Sequence, residues 1–486
     1  MNELAKLMQS EQQTSVSPKI AIIGGGIAGA TAAVHLAELG MNITLIEKSA
    51  SLVCGPPICH LHAGGNLYRE ISTQQCVELL KQSIDTVRLY PQTINHRPTV
   101  IAVPCSDDGS PDALRDRLVT IQNCYRELVE ADPANKVLGE PSQYYKFYTR
   151  EEIEMLAMQE QPAQPNSIDE WLIPFAKHTD LDALQFPIVG VQEPGWSVFR
   201  IAASATLALE QMPNCQLMTN TQVVGVEEYD DGWKIEYRSD SGKLSCLKVD
   251  YLVNACGYET GSIDDLAKKS RQRLVEFKAA YVTRWSQCNE LWPEVIFHGQ
   301  RGTPNGMAQL TPYPDGVFQL HGMTKDITLF EDGLVANEHG SSQPKLPLRL
   351  LNKIQKGWDS SVVVERSQRA IEHMAKYIPS YVDANEYGTP LFGAQQIPGQ
   401  DETLRAADVT FEGDHYARVE VVKGSSALEA AIKLVKQWQL FAYHTDVIED
   451  LHPVMHSLSA EDVELRAEQL AQQRSYPAQL AQYYGQ

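Results

Sequence analysis

At 486 residues the chain is long enough to bury the cores of two or three interleaved domains. Forty-one basic against 62 acidic side chains leave a formal charge of −21 with no basic tract, which argues against docking on nucleic acid or on anionic lipid. Apolar residues make up 43%, an ordinary globular share, and no apolar stretch reaches the ~20 residues of a membrane span.

Residues 1–18 are polar and mixed in charge, without an apolar signal core, and are expected to form a flexible extension of a cytoplasmic protein. From Lys19 to Lys48 the sequence reads KIAIIGGGIAGATAAVHLAELGMNITLIEK. An apolar strand enters a glycine turn, a small-residue helix follows, and a second apolar strand ends on an acid, the unit that holds a dinucleotide. Gly24 permits the tight turn, Gly26 leaves room for a pyrophosphate, and Gly29 brings the helix close to the sheet. The amides of Ile27 and Ala28 open the helix toward the phosphates. Glu47 is placed to accept hydrogen bonds from ribose hydroxyls, with Lys48 beside it.

Cys54 and Cys59 have the spacing of a redox disulfide, but Pro56 and Pro57 between them oppose the helix on which such a pair sits, and no second glycine fingerprint follows. Nine cysteines, an odd number without Cys-x-x-Cys spacing, read as reduced thiols rather than a disulfide frame or a zinc site. Residues 120–187 are helical and polar, with Gln159–Asn166 an exposed loop. Cys215–Tyr237 alternates as strands around Asp230-Asp231-Gly232, with Val223 on the first of them, and Val249–Gly261 returns as a strand ending in Asn254-Ala255-Cys256-Gly257. This layout resembles that of flavoproteins of the two-dinucleotide-binding-domain type, which implies that Ala255 and Gly257 lie beside the FAD pyrophosphate; the excursion has no evident role in a simple NAD dehydrogenase.

Phe277–Leu329 reads as four strands, KAAYVTRW, EVIFHG, MAQLTPY and GVFQLHG. Such a sheet would roof a flavin, and His298, Arg301, Gln309, Tyr313, His321 and Lys325 recur in or beside its apolar runs. Arg301 or Lys325 is the expected anchor for a substrate carboxylate, while a Tyr or His would orient an amine or hydroxyl. Ser360–Tyr381 is helical. Arg418–Val435 forms a strand, the turn Gly424-Ser425-Ser426, and a helix from Ala427. Its free amides can face a flavin carbonyl, with Lys423 just ahead. Residues 441–486 are a helical tail without visible chemistry.

In this order the pieces resemble the D-amino-acid-oxidase-like (DAO) family of FAD-dependent oxidoreductases, from about Lys19 to about Trp438. His62-Ala63-Gly64-Gly65-Asn66-Leu67 resembles the family's loop along the flavin, Tyr148–Ile153 its helix start, and Gln192–Leu209 its re-entry into the FAD domain. Gly388-Thr389-Pro390 is similar to its late glycine turn, but the Asp-x-x-Pro that usually follows is replaced by Gly393–Gly399, so contacts of that loop are not carried over. The resemblance implies an α/β architecture: a Rossmann-type FAD domain of residues 19–105, 190–265 and 387–440, interleaved with a mixed-sheet cap of 120–187 and 277–380. It also implies oxidation of an amine or amino acid, with oxygen or another acceptor taking the electrons. A 2-hydroxy-acid oxidase and a flavoprotein that modifies a partner polypeptide are the alternatives. Some members tether FAD through a histidine in a Trp-His-Ala-Ala-Gly-like loop; His62 stands at that place, but the Trp is absent and Gly64 replaces the second Ala, so noncovalent FAD is expected.

Overall fold

A computed structural model describes residues 17–485 apart from 57, 59, 60, 62 and 66–70. The apolar strand Lys19–Ile23 lies between Asn42–Ile46 and Tyr251–Asn254, parallel to both. Cys215–Met218 and Tyr416–Val419 extend this sheet on either side, and Val409–Phe411 closes one edge antiparallel, for six strands in all. Buried on both faces, these strands read as continuous apolar runs rather than alternating ones. The helices Ile27–Glu38, Val198–Gln211 and Ala427–Gln437 pack together over it through alanine-rich faces. Gln222–Tyr229, Gly232–Arg238 and Leu244–Val249 form a separate antiparallel meander.

The second layer is a ten-stranded mixed sheet built around Arg273–Arg284, whose 12 residues pair in turn with Leu334–Ala336, Leu391–Pro398, Asn385–Glu386 and Val317–Gly322. Beyond Val317–Gly322 follow Ala308–Tyr313, Glu294–Phe297, Thr99–Pro104, Leu184–Val191 and Tyr145–Tyr148. The four strands expected within 277–329 are all present, and the helix expected at Ser360–Tyr381 runs over Ser360–Ala375. Two segments differ from expectation. Thr99–Pro104, placed with the nucleotide-binding part, pairs in the mixed sheet with Glu294–Phe297 and Leu184–Val191. Gly393–Gly399, read as a loop of that part, is mostly strand, lying antiparallel along Arg273–Ala280. An apolar run such as Thr99–Pro104 fits either sheet, and only its pairing partner decides.

Period-2 alternation gives the central strand two unlike faces. Val275, Phe277, Ala279 and Tyr281 join a core with Ile371 and Met374 of the covering helix. Glu276, Lys278, Ala280 and Val282 take the opposite face, and Ala280 and Val282 belong to the core that contains the glycine-turn helix. A buried ionic cluster braces the two layers. Asp264 accepts from Arg418 Nε at 2.6 Å and Tyr416 Oη at 2.7 Å and pairs with Arg273. Fully desolvated charges persist only when paired in this way. Residues 441–484 are helical in part but not peripheral: Leu451, Met455, Val463, Leu470 and Ala471 share the core of the first helix.

Candidate active site

The glycine turn is held at both ends. Gly24 N donates to Ile46 O at 2.8 Å and Ala255 N to Ile23 O at 2.8 Å, which brings the two strand ends together. Gly24 adopts φ +99, and a Cβ there would lie 2.5 Å from Ala255 O, so only glycine fits. A Cβ on Gly26, by contrast, would meet nothing within 4 Å: the space above the turn is open. The helix beginning at Ile27 has no side-chain cap and no acid in its first turn, so the first amides of Ile27, Ala28 and Gly29 and the positive end of the dipole face that space. An open cradle, uncapped amides and no competing anion suit a pyrophosphate.

Glu47 is buried, and both of its oxygens are engaged. Gly25 N donates to Oε2 at 2.6 Å and Ser49 N to Oε1 at 2.7 Å. Each carboxylate oxygen keeps a further lone pair, so the side chain can brace the turn and still accept from a ribose. Lys48 pairs with Glu259 and lies 5.7 Å over the Tyr258 ring. Thr221 N donates to Glu47 O at 2.9 Å, which seats Val223 two residues further on, at the start of the meander.

The third element meets the first. A Cβ on Gly424 would lie 2.7 Å from Ile27 Cδ1 and 3.0 Å from the Trp196 ring, so the 424–426 turn abuts the glycine-turn helix. Ser426 stands at the N-cap of the helix from Ala427, but its side chain makes no cap hydrogen bond. Ser426 Oγ donates to Gln82 Oε1 at 2.6 Å, and Ser425 O accepts from Thr86 Oγ1 at 3.0 Å. Within the turn Ser426 N donates to Lys423 O at 3.0 Å and Ala427 N to Gly424 O. Gly65 N donates to Glu193 Oε1 at 2.6 Å, and Gly64 has φ +103 against Cys76 O. His62, Asn66 and Leu67 lie outside the described residues.

Over this turn lies the polar face of the mixed sheet. Gln395, opposite Glu276, donates to Val422 O, beside Lys423. Lys278 stands 2.8 Å from Glu276 Oε2 and 3.4 Å from Gln395 Oε1. Burial, with the Arg405 guanidinium nearby, pushes the Lys278 ammonium down to about 7, against the pull of Glu276. Gln309 lies across from His321, and Thr311 from Gln319. Burial, reinforced by Lys278 and Lys423, lowers the His321 imidazole to about 3, so it is neutral at physiological pH. Gln309 donates to Glu294, which pairs with Arg97; burial raises the Glu294 carboxyl against that pairing.

Of the residues expected in the roof, His321 and Gln309 are thus brought together, and Lys423, expected just ahead of the 424–426 turn, lies near His321. His298 is buried just past Glu294–Phe297, its amide donating to Ala102 O at 2.9 Å. Tyr313 is buried, with Oη 3.4 Å from Gln319 Oε1. Arg301 pairs with Glu276 and has a third of its side chain exposed. Lys325 is not gathered with this set: 54% of its side chain is exposed, and Glu331 is 3.9 Å away. Sequence reasoning missed Lys278, Glu276, Gln395, Glu294 and Arg97. The signal for the first two was present, because Glu276 and Lys278 share parity in a strand otherwise apolar at its centre.

The sequence matches the family model for FAD dependent oxidoreductases (DAO) over residues 19–389. Curated proteins give no match. Similar solved structures include glycine oxidase from Geobacillus kaustophilus (12% identity, 89% of this chain and 97% of that one, TM-score 0.56). L-amino acid deaminase from Proteus vulgaris is alike at 12% identity, 89% and 95% coverage and TM-score 0.55. L-alpha-glycerophosphate oxidase from Mycoplasma pneumoniae, solved with FAD bound, matches at 15% identity, 87% and 95% coverage and TM-score 0.52. At these identities the likeness is one of fold.

Proposed function

Because the chain belongs to the DAO family of FAD-dependent oxidoreductases, we propose that it oxidises the C–N bond of a small amine or amino acid. Bound FAD supplies a two-electron acceptor for the hydride of the substrate C–H bond. The chain's own residues do the rest. The amides at Ile27–Gly29 receive the pyrophosphate, Glu47 the ribose, and the 424–427 turn the pyrimidine end of the flavin, which is held noncovalently. The sheet face of Gln309, Thr311, Gln319 and His321 excludes bulk water and fixes the donor over the ring. His321, neutral, offers a hydrogen bond without a charge. Lys278, poised near neutrality, can hold or release a proton as the amine is oxidised. Arg301 supplies a fork for a substrate carboxylate, with Glu276 positioning it beside Lys278.

The observation that carries this reading is a buried, polar, mixed-charge face set against the 423–427 turn. Net charge and the absence of a basic tract support a free metabolite over nucleic acid as substrate. Anaerobic mixing with a panel of amino acids, amines and hydroxy acids, followed by the loss of flavin absorbance, tests it. Bleaching by an amine or amino acid is expected. Bleaching by 2-hydroxy acids alone refutes C–N oxidation, and silence across the panel favours action on a partner polypeptide.

A further inference from the structure

Residues 441–484 lie beyond the family match and beyond the last strand of the nucleotide-binding sheet, and hydride transfer makes no demand on them. Three sets of contacts nevertheless tie them to the cofactor cradle. Arg474 Nη1 donates to Val53 O at 2.8 Å, and Nη2 donates to Leu52 O at 2.6 Å and Ser51 Oγ at 3.0 Å. One planar fork thus holds three successive residues of the loop after Glu47, a pattern a lysine cannot reproduce. That loop needs holding, because Val53 is β-branched and sits at φ 52, in the left-handed region.

The loop in turn shapes the glycine turn. Val53 N donates to Gly25 O at 2.8 Å, Leu52 packs where a Cβ of Gly25 would stand, and Gly25 N donates to Glu47 Oε2 at 2.6 Å. The segment also grips the far end of the same helix. Glu38 accepts from Met455 N at 2.9 Å and Val454 N at 3.3 Å. His35 lies between His452 and Tyr443, each 2.9 Å from one of its ring nitrogens.

We propose that residues 441–484 form part of the FAD site, with Arg474 a positioning residue for its ribose side, so that docking of this segment and binding of FAD are coupled. Coupling of this kind is reciprocal: if the docked segment favours FAD, bound FAD favours the docked segment by the same factor. The inference rests on FAD binding alone and is independent of which bond the enzyme oxidises.

The test uses the full-length apoprotein. FAD and ADP, the latter a probe of the adenosine half alone, are titrated into the wild type and into Arg474→Ala, Arg474→Lys and Arg369→Ala, and backbone hydrogen exchange is followed over residues 460–484. Arg474→Ala is expected to weaken both ligands about tenfold or more, and Arg474→Lys by less. Arg369, whose surface pair is Glu365 within the Ser360–Ala375 helix, is expected to leave both affinities unchanged. FAD is expected to slow exchange in the wild type. Affinities within about twofold of wild type in Arg474→Ala, or an equal loss in Arg369→Ala, would overturn the proposal. Should Arg474→Ala fail to fold, the wild-type exchange decides alone: no slowing on adding FAD rejects the coupling.

Discussion

Replacing Glu47 separates two jobs that one carboxylate performs. In the structure its oxygens accept from Gly25 N at 2.6 Å and Ser49 N at 2.7 Å, in a site where Glu47 is only 8% exposed. Hydrogen bonds to a charged acceptor contribute about 1.5–3 kcal/mol each, less what the freed amides recover from water. Glu47→Ala should therefore lower the folding stability of the apoprotein by about 1.5–3 kcal/mol through the turn alone. If the remaining lone pairs also take the ribose hydroxyls, FAD affinity falls in addition by about 2–4 kcal/mol, roughly thirtyfold to several hundredfold. Glu47→Gln keeps one acceptor and should fall between wild type and Ala on both measures. Urea unfolding of the apoprotein reads the first effect, and quenching of flavin fluorescence during titration reads the second. A destabilised Glu47→Ala apoprotein that still binds FAD with wild-type affinity would refute the ribose role and leave Glu47 as a brace of the turn.

The buried imidazole pair predicts a pH dependence of stability. Burial, with His452 as a neighbour, holds His35 well below its ordinary 6.5, and burial lowers His452 to about 4. Below about pH 6.5 the unfolded chain binds protons that the folded one refuses, so stability is lost as pH falls from there toward 4 and is unaffected above. Denaturant midpoints measured between roughly pH 7.5 and 5 should show this slope, and His452→Gln should lessen it, with buried His321 supplying part of the rest; an unchanged slope in that variant would exclude the pair as a source. Acid precipitation should release free FAD into the supernatant, whereas a yellow pellet with flavin on a peptide containing His62 or His60 would show a covalent link. Arg301→Ala should raise the dissociation constant of a carboxylate substrate roughly tenfold to several hundredfold, about 1.5–3.5 kcal/mol, without changing FAD binding. Lys325→Ala, at an exposed site, should change neither. If Arg301→Ala is also silent, the sheet does not read a carboxylate.

What could be read from the linear chain was whatever is encoded over short spans. The strand–turn–helix–strand of Lys19–Lys48 is one continuous stretch, and its glycines and terminal acid report their own backbone needs. Thr149 and Glu152 are another such case: Thr149 Oγ1 accepts from Glu152 N at 3.3 Å while Glu152 Oε2 accepts from Thr149 N at 2.7 Å, a reciprocal cap whose partners are three residues apart. Alternation placed the strands of the roof in the same way. It did not say which sheet Thr99–Pro104 would join, since β-branched runs fit any half-buried edge. Nor could it rank the roof's polar residues. Lys325 and Lys278 are both lysines in or beside apolar strands, yet one stands in solvent and the other is largely covered beside Glu276, Gln395 and His321. Those neighbours come from strands and turns far apart in sequence. Arg474 is the extreme case, an unremarked residue of a polar helix end that grips a loop 421 to 423 positions earlier. Sequence by itself determined the family of the cofactor site, because phosphate and ribose are met by backbone geometry that local residue types dictate. Only the tertiary structure decided which side chains gather against the 424–427 turn, because burial and pairing across a sheet are properties of neighbours that the chain's order does not record.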